Sequence, residues 1–313
     1  MSILRQINAN NEAALEFRQA EEKVSPDKLK RARLAEMVAL PSYIGFVEAN
    51  FLAGLPFVMF LCDRDDGIAL RLLWKREFEP ASLSIWRQLV SRSSLVVDVG
   101  GHTGIYSIVA GLANPAARVH TFEPNEMNFG RLLLNLKANG LSGTRRHCLA
   151  ASRSSGMLPF NVKLGAYLSA GGRVVDEGQT ITKMVPAAAI DECVPLKPGR
   201  ICVKIDTEGH EVEVLAGMSD LIKKRQPDII LECVFDQTML ATEVSLTQAG
   251  YRFFYIDERA WKLRPIQTIT VPPEDLGPTE RENVLITTMS AEEAQGLYDQ
   301  ARADYELARG NEQ

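Results

Sequence analysis

The feature that most constrains this chain is an alternation of strand-like and helix-like segments that begins at Ser94 and runs to Thr288. Leu95-Val96-Val97-Asp98-Val99 is a short β-branched run ending in glycines, and a helical stretch follows to about Leu112. Arg118–Glu123 reads as the next strand, Pro124 opens a helix to about Asn139, and Arg146–Ala150 reads as a third strand. Met157 to Asp191 is irregular and suits an inserted hairpin with Gly171-Gly172 in its loop. Strands then return at Ile201–Asp206, Asp228–Cys233, Tyr251–Ile256 and Asn283–Thr288, separated by helices over His210–Arg225 and to about Ala249. Repeated β-α units of this length predict an α/β fold with a doubly wound, mainly parallel sheet and right-handed crossovers.

The flanks read differently. Residues 1–92 form an extension that begins helical and amphipathic, with a helix start at Ser25-Pro26-Asp27 and Leu34, Met37 and Val38 on one face. Phe57–Cys62 and Ile68–Trp74 read as two strands of a hairpin, because the stretch between them, Asp63 to Gly67, is rich in turn formers. A helix near Ser82–Ser91 leads into the central unit, residues 93–289. Ser290-Ala291-Glu292-Glu293 opens a polar C-terminal surface helix in 290–313.

Bulk properties exclude some classes of function. A 46% hydrophobic content argues against a disordered chain, and a net charge of −5 offers no global attraction to nucleic acid. Five cysteines without a C-x-x-C pair read as reduced thiols, which fits the cytoplasm. No export signal is visible, and the uncharged apolar stretch Phe51–Cys62 is well short of the ~20 residues a spanning helix needs, so no membrane partner is expected. The aromatic and Met content of Phe51–Phe60 suits ordinary core, a substrate lid or a homodimer surface.

Chemistry concentrates at three strand ends. Asp98-Val99-Gly100-Gly101-His102-Thr103-Gly104 lies between strand and helix, where glycines permit a sharp turn and the helix N-terminus offers free N–H groups. Val99 stands where the dinucleotide fingerprint needs glycine, and a terminal carboxylate suits a ligand carrying an ammonium or sulfonium. Glu123, 25 residues on, is placed to accept both hydrogen bonds of a ribose diol. Together they describe an adenosyl ligand. In Val203-Lys204-Ile205-Asp206-Thr207-Glu208-Gly209-His210-Glu211, Lys204 and Asp206 interrupt a strand expected to be buried, and their spacing puts both on one face. A Lys204–Asp206 contact or a bound ligand is therefore implied, while Glu211 and Glu213 read as helix-start acids.

These segments, with Phe122-Glu123-Pro124-Asn125, Cys148–Ser152, Val214–Gly217 and Pro227–Glu232, resemble the FkbM family of S-adenosylmethionine-dependent methyltransferases over about Leu95 to Ile256. The resemblance implies a Rossmann-like methyltransferase sheet with an antiparallel last strand, and O-methylation of a hydroxyl on a sugar or polyketide-type natural product. It implies that Asp98, Gly100, Gly101, His102, Thr103 and Gly104 hold the methionyl part of the cofactor. Glu123 would take the ribose with help from Asn125, Ala151 would lie near the adenine, and Lys204 to Glu208 would face the transferred methyl.

An alcohol acceptor must lose its proton, which makes Asp206 and His210 the candidate bases, with Lys204 orienting Asp206 or the acceptor oxygen. A magnesium ion on Asp206 and Glu232 is a second route. The remaining readings are an N-methyltransferase or nucleic-acid methyltransferase, and a non-catalytic adenosyl-binding module. The first conflicts with the acidic balance; the second leaves Lys204, Asp206 and Glu208 unexplained.

Overall fold

The computed structural model describes residues 3–163, 180–196, 198–276 and 282–310. Three helices, α1 (Ile3–Val24), α2 (Pro26–Arg31) and α3 (Leu34–Val38), precede a hairpin of β1 (Ile44–Ala49) and β2 (Phe57–Cys62). Helices α4 (Gly67–Lys75) and α5 (Pro80–Ser91) lead into β3 (Leu95–Val99), α6 (Ile105–Ala113), β4 (Arg118–Phe122), α7 (Glu126–Ala138) and β5 (Arg145–His147). A small sheet follows, made of β6 (Ala150–Ala151), β7 (Gly156–Lys163) and β8 (Thr180–Ala188), and then α8 (Ile190–Cys193). The rest is β9 (Ile201–Ile205), α9 (Glu211–Ala216), α10 (Ser219–Arg225), β10 (Asp228–Cys233), α11 (Leu240–Gln248), β11 (Arg252–Asp257), β12 (Lys262–Ile266), β13 (Glu282–Thr287) and α12 (Ala291–Gly310).

The main sheet has the order β12-β11-β13-β10-β9-β3-β4-β5. Pairing is parallel from β5 to β10, and β13 runs antiparallel between β10 and β11. This is the expected doubly wound α/β sheet with its last strand reversed. Alternate side chains enter two separate cores. Val96, Cys202, Ile230 and Leu285 join the N-terminal elements, α6 and α12 on one face. Val97, Val203, Ile229 and Ile286 join α9, α10 and α11 on the other. Asp98, Lys204 and Glu232 follow Val96, Cys202 and Ile230 by two residues, so they share the first face at the carboxyl ends of β3, β9 and β10.

Four local expectations need correction. Ile68–Trp74 is helical, and β2 pairs with β1 instead. The Asp66 carboxylate caps α4 by accepting from the N–H groups of Ile68 at 2.8 Å and Ala69 at 3.2 Å, which turns an apolar run into a buried helix. The third strand is divided: Arg145–His147 closes the main sheet, whereas Ala150–Ala151 pairs with β8. The helix expected over His210–Arg225 breaks at Gly217, where an added Cβ would sit 1.9 Å from the Ser152 carbonyl oxygen. Lys262–Ile266 forms an additional edge strand. The inserted hairpin is present as β7 and β8; Gly171 and Gly172 lie outside the described residues.

Phe51, Leu52, Phe57 and Met59 are buried, as core residues are. α12 is more than a polar surface helix, since Ala294, Leu297, Tyr298, Ala301 and Tyr305 are buried in the core that holds α5. No helix among the described residues is long and apolar enough to cross a membrane.

Candidate active site

The glycine loop is built around two close approaches. Gly100 and Gly101 both donate their N–H to the Phe122 carbonyl at 2.9 Å, tying the loop to the end of β4. Gly100 has φ +77°, and a Cβ there would lie 1.7 Å from the Asp206 carbonyl oxygen, so no side chain fits. A Cβ on Gly101 would meet Thr121 Oγ1 at 2.3 Å. His102 also has a positive φ of 47°, and its N–H donates to Glu123 Oε2 at 2.9 Å. Gly104, at φ +103°, is the N-cap of α6. Thr103 is buried, and its carbonyl accepts from Asn135 Nδ2 at 2.8 Å.

Asp98 is buried beneath this loop and accepts from Ser107 Oγ at 2.6 Å. Burial raises its carboxyl to about 6, against the pull of the Ser107 hydrogen bond and Lys204. Glu123 accepts from the N–H groups of His102 and Asn125 and, at 3.5 Å, from Asn128 Nδ2. Burial raises its carboxyl as well. Asn125 is the N-cap of α7, its Oδ1 accepting from Met127 N–H at 3.1 Å. Ala151 lies buried in the small sheet, beside the end of β5 in sequence. Two buried oxygens, Asn128 Oδ1 beside Glu123 and Thr121 Oγ1 beside Gly101, have no hydrogen-bond partner among the described residues. Both are acceptors suited to the hydroxyls or ammonium of an adenosyl amino acid.

The β9 end holds the charged groups. Lys204 Nζ is 3.3 Å from Asp206 Oδ2, the contact expected from their spacing, with side chains 1% and 28% exposed. It also donates to Asn283 Oδ1 at 2.9 Å and lies 5.0 Å from the centre of the Tyr106 ring. Burial works against the ammonium, but Asp206, Glu79 and Glu232 outweigh it and raise the Lys204 pKa. Burial and the Asp206 charge push the Glu232 carboxyl well above the usual range. Carboxylate oxygens of Asp206, Glu208 and Glu232 lie within 4.8 Å of one another, an arrangement able to hold a hard cation. Glu208 is exposed with φ 59°, an unusual conformation for a side-chain-bearing residue.

His210 stands at the N-terminal boundary of α9, and its ring, which does not cap the helix, places Nε2 2.9 Å from Ser152 Oγ. Glu211, read as a helix-start acid, also staples the loop: its Oε1 accepts from Thr207 N–H, Thr207 Oγ1 and Gly209 N–H at 3.1, 3.0 and 2.9 Å. Glu213 pairs with Arg153 at 2.8 Å.

Sequence reasoning missed Glu79, Tyr106, Asn283 and Ser152. Glu79 Oε2 accepts from Tyr106 Oη at 2.6 Å and Asn283 Nδ2 at 3.0 Å. Tyr106 and Asn283 lie in stretches that read as plain helix and strand, and no local signal marks them. Glu79 alone carries a cue, a carboxylate just before Pro80.

Residues 98–253, about half of the chain, match the methyltransferase FkbM domain. The chain is 33% identical over 129 residues to the hexuronic acid methyltransferase AglP of Haloferax volcanii, covering 40% of this chain and 50% of that protein. It thus spans about half the length of that relative. It is 23% identical over 177 residues to Methyltransferase 1 of Beauveria bassiana, covering 50% of this chain and 71% of that one. Among solved structures, a methyltransferase FkbM from Methylobacillus flagellatus KT aligns with a TM-score of 0.42 and 16% identity, over 70% of this chain and 53% of that one. The matched span carries the glycine loop, Glu123 and the Lys204–Glu208 segment, and the chain belongs to the FkbM family of methyltransferases.

Proposed function

We propose that the protein transfers a methyl group from S-adenosylmethionine to a hydroxyl oxygen of a small molecule, a sugar or sugar-like acceptor. The observation that carries this reading is the group of Asp98 and Lys204, paired on one sheet face, with Asp206 3.3 Å from Lys204, beside a loop that Gly100 keeps free of side chains. The acceptors Glu123 and Asn128 Oδ1 suit a ribose, and Asp98 suits an ammonium. A bound S-adenosylmethionine supplies an electrophilic methyl on a sulfonium. The residues bind and orient it, exclude water, and remove the acceptor's proton.

With the cofactor bound, its sulfonium would supply the methyl electrophile, and Asp206 or His210 would take the proton that the acceptor hydroxyl gives up. The 28% exposure of Asp206 leaves it accessible to an acceptor, while Lys204 holds the carboxylate in place. His210, steadied by Ser152, is the alternate base. A general base within hydrogen-bond reach contributes ~10²–10⁴-fold. The hexuronic acid methyltransferase relative favours a hexuronide among hydroxylated acceptors.

A screen with methyl-labelled S-adenosylmethionine tests the reading, using methyl glucuronide, neutral glycosides, small amines and RNA. Label on a hydroxyl of a glycoside is the expected result; label confined to amines or RNA overturns it. The clustering of Asp206, Glu208 and Glu232 favours one variation, in which a magnesium ion binds these carboxylates and orients the acceptor. Transfer that stops with EDTA and returns with magnesium would support it, and transfer indifferent to chelation removes it.

A further inference from the structure

The site contains an inward-turned carboxyl group that the family-matched span does not supply. Glu79 lies at the N-cap of α5, ahead of residues 98–253, and Asn283 lies beyond them. A chain of hydrogen bonds nevertheless runs from Tyr106 Oη to Glu79 Oε2 at 2.6 Å, from Asn283 Nδ2 to the same oxygen at 3.0 Å, and from Lys204 Nζ to Asn283 Oδ1 at 2.9 Å. Asn283 Nδ2 also donates to Ser82 Oγ at 3.0 Å, and the donor-only Lys204 ammonium together with the accepting Glu79 oxygen fixes the orientation of its amide. With the nitrogen turned to Glu79 and Ser82, the oxygen can only face Lys204.

The backbone at Glu79 is left-handed, φ 39° and ψ 56°, a conformation that costs a side-chain-bearing residue free energy and persists only where the surroundings enforce it. Glu258 is bonded to the N–H groups of Ala81 and Ser82 at 2.9 and 2.7 Å and so satisfies the start of α5. Glu79 is therefore not needed as a side-chain cap, and its carboxylate turns inward. An ammonium as buried as Lys204 needs more than the partly exposed Asp206, and Asn283 links it to the Glu79 carboxyl, which burial raises and the Lys204 charge draws down.

We propose that Glu79 is a positioning residue of the methyl-transfer site, setting the Lys204 ammonium against Asp206 through Asn283. The N-terminal segment then completes the site as well as covering it. This rests on the reading that Lys204 and Asp206 face the transferred methyl.

Calorimetry on the full chain separates the two ideas. S-adenosylhomocysteine carries nothing at the methyl position, whereas sinefungin carries an amine there. Wild type that fails to bind S-adenosylhomocysteine removes the cofactor reading, and this inference with it. Where wild type binds, Glu79→Gln and Glu79→Ala are expected to hold S-adenosylhomocysteine within about threefold of wild type while weakening sinefungin about tenfold, the worth of one hydrogen bond to a charged group. A merely structural role would move both ligands together. Glu79→Gln keeps the side-chain size, so it remains folded if the alanine variant does not. A sinefungin to S-adenosylhomocysteine affinity ratio unchanged in folded Glu79→Gln overturns the proposal.

Discussion

At the scale of single residues, the site depends on what certain positions exclude. Gly100 has no room for a Cβ because the Asp206 carbonyl lies 1.7 Å from where it would stand, and its φ of +77° disfavours any side chain. Gly100→Ala is therefore expected to cost at least about 2 kcal/mol of stability in urea unfolding and to weaken S-adenosylhomocysteine binding. Wild-type values in both measurements would refute the close approach of the two strand ends. Under the proposed mechanism Asp206 carries the opposite kind of constraint, its charge rather than its volume being what the reaction uses. Asp206→Asn is expected to lower kcat ~10²–10⁴-fold, as loss of a general base does, while S-adenosylhomocysteine affinity stays within about threefold. Equal loss of both would point to a role in cofactor binding instead.

At the scale of elements, one helix links the N-terminal hairpin to the glycine loop. The edge of β2 would expose unpaired backbone groups, but α7 covers it with side-chain amides: Asn139 bonds both N–H and C=O of Val58, and Asn135 Oδ1 accepts from Phe60 N–H at 2.8 Å. The same Asn135 donates to the Thr103 carbonyl. Asn135→Ala leaves both backbone groups unsatisfied and is expected to cost about 1–3 kcal/mol, read by denaturant midpoint. The β4–β5 pair gives a pH signature. His120 is buried with Nδ1 3.2 Å from His147 Nε2, and burial, helped by His147, Arg145 and Arg118, lowers its pKa from 6.5 to about 4. The unfolded chain binds the proton more readily, so this contribution is complete above pH 6.5 and is lost as pH falls toward about 4. His120→Gln should flatten the wild-type decline in stability across that window; an identical slope would contradict it. The alternation from Leu95 onward was legible in the sequence because buried parallel strands read as short β-branched runs. The hairpin error arose because Ile68–Trp74 is apolar at every position but Arg71, a run that periodicity cannot assign, and the Asp66 cap decides it. Asp98, Lys204 and Asp206 stood out as charges at or beside the ends of apolar strands; the structure sets Asp98 opposite Lys204 and puts Lys204 3.3 Å from Asp206. The link from Glu79 through Asn283 to Lys204 was illegible, because it is tertiary: Glu79 and Asn283 lie 204 residues apart.

At the scale of the whole molecule, two cores flank one sheet, and the segments outside the matched span enclose the first face. α12 binds back onto α5 through Asp304, which accepts from Arg87 and Gln88 at 2.7 Å, and Tyr305 donates to Glu77 at 2.6 Å. The N-terminal elements share that core with α6 and β3, so the segments outside the matched span pack as one unit with the elements that flank the glycine loop. Acceptor choice is then expected to reside in the enclosing segments, since the matched span supplies the glycine loop and the candidate bases. Everything rests on the loop, Glu123 and the charged groups serving one adenosyl ligand. The most direct measurement is calorimetric titration of the full chain with S-adenosylhomocysteine and, separately, with NAD. Saturable one-to-one binding of S-adenosylhomocysteine with no heat from NAD is the expected result; no binding of S-adenosylhomocysteine, or clear binding of NAD, would contradict the account.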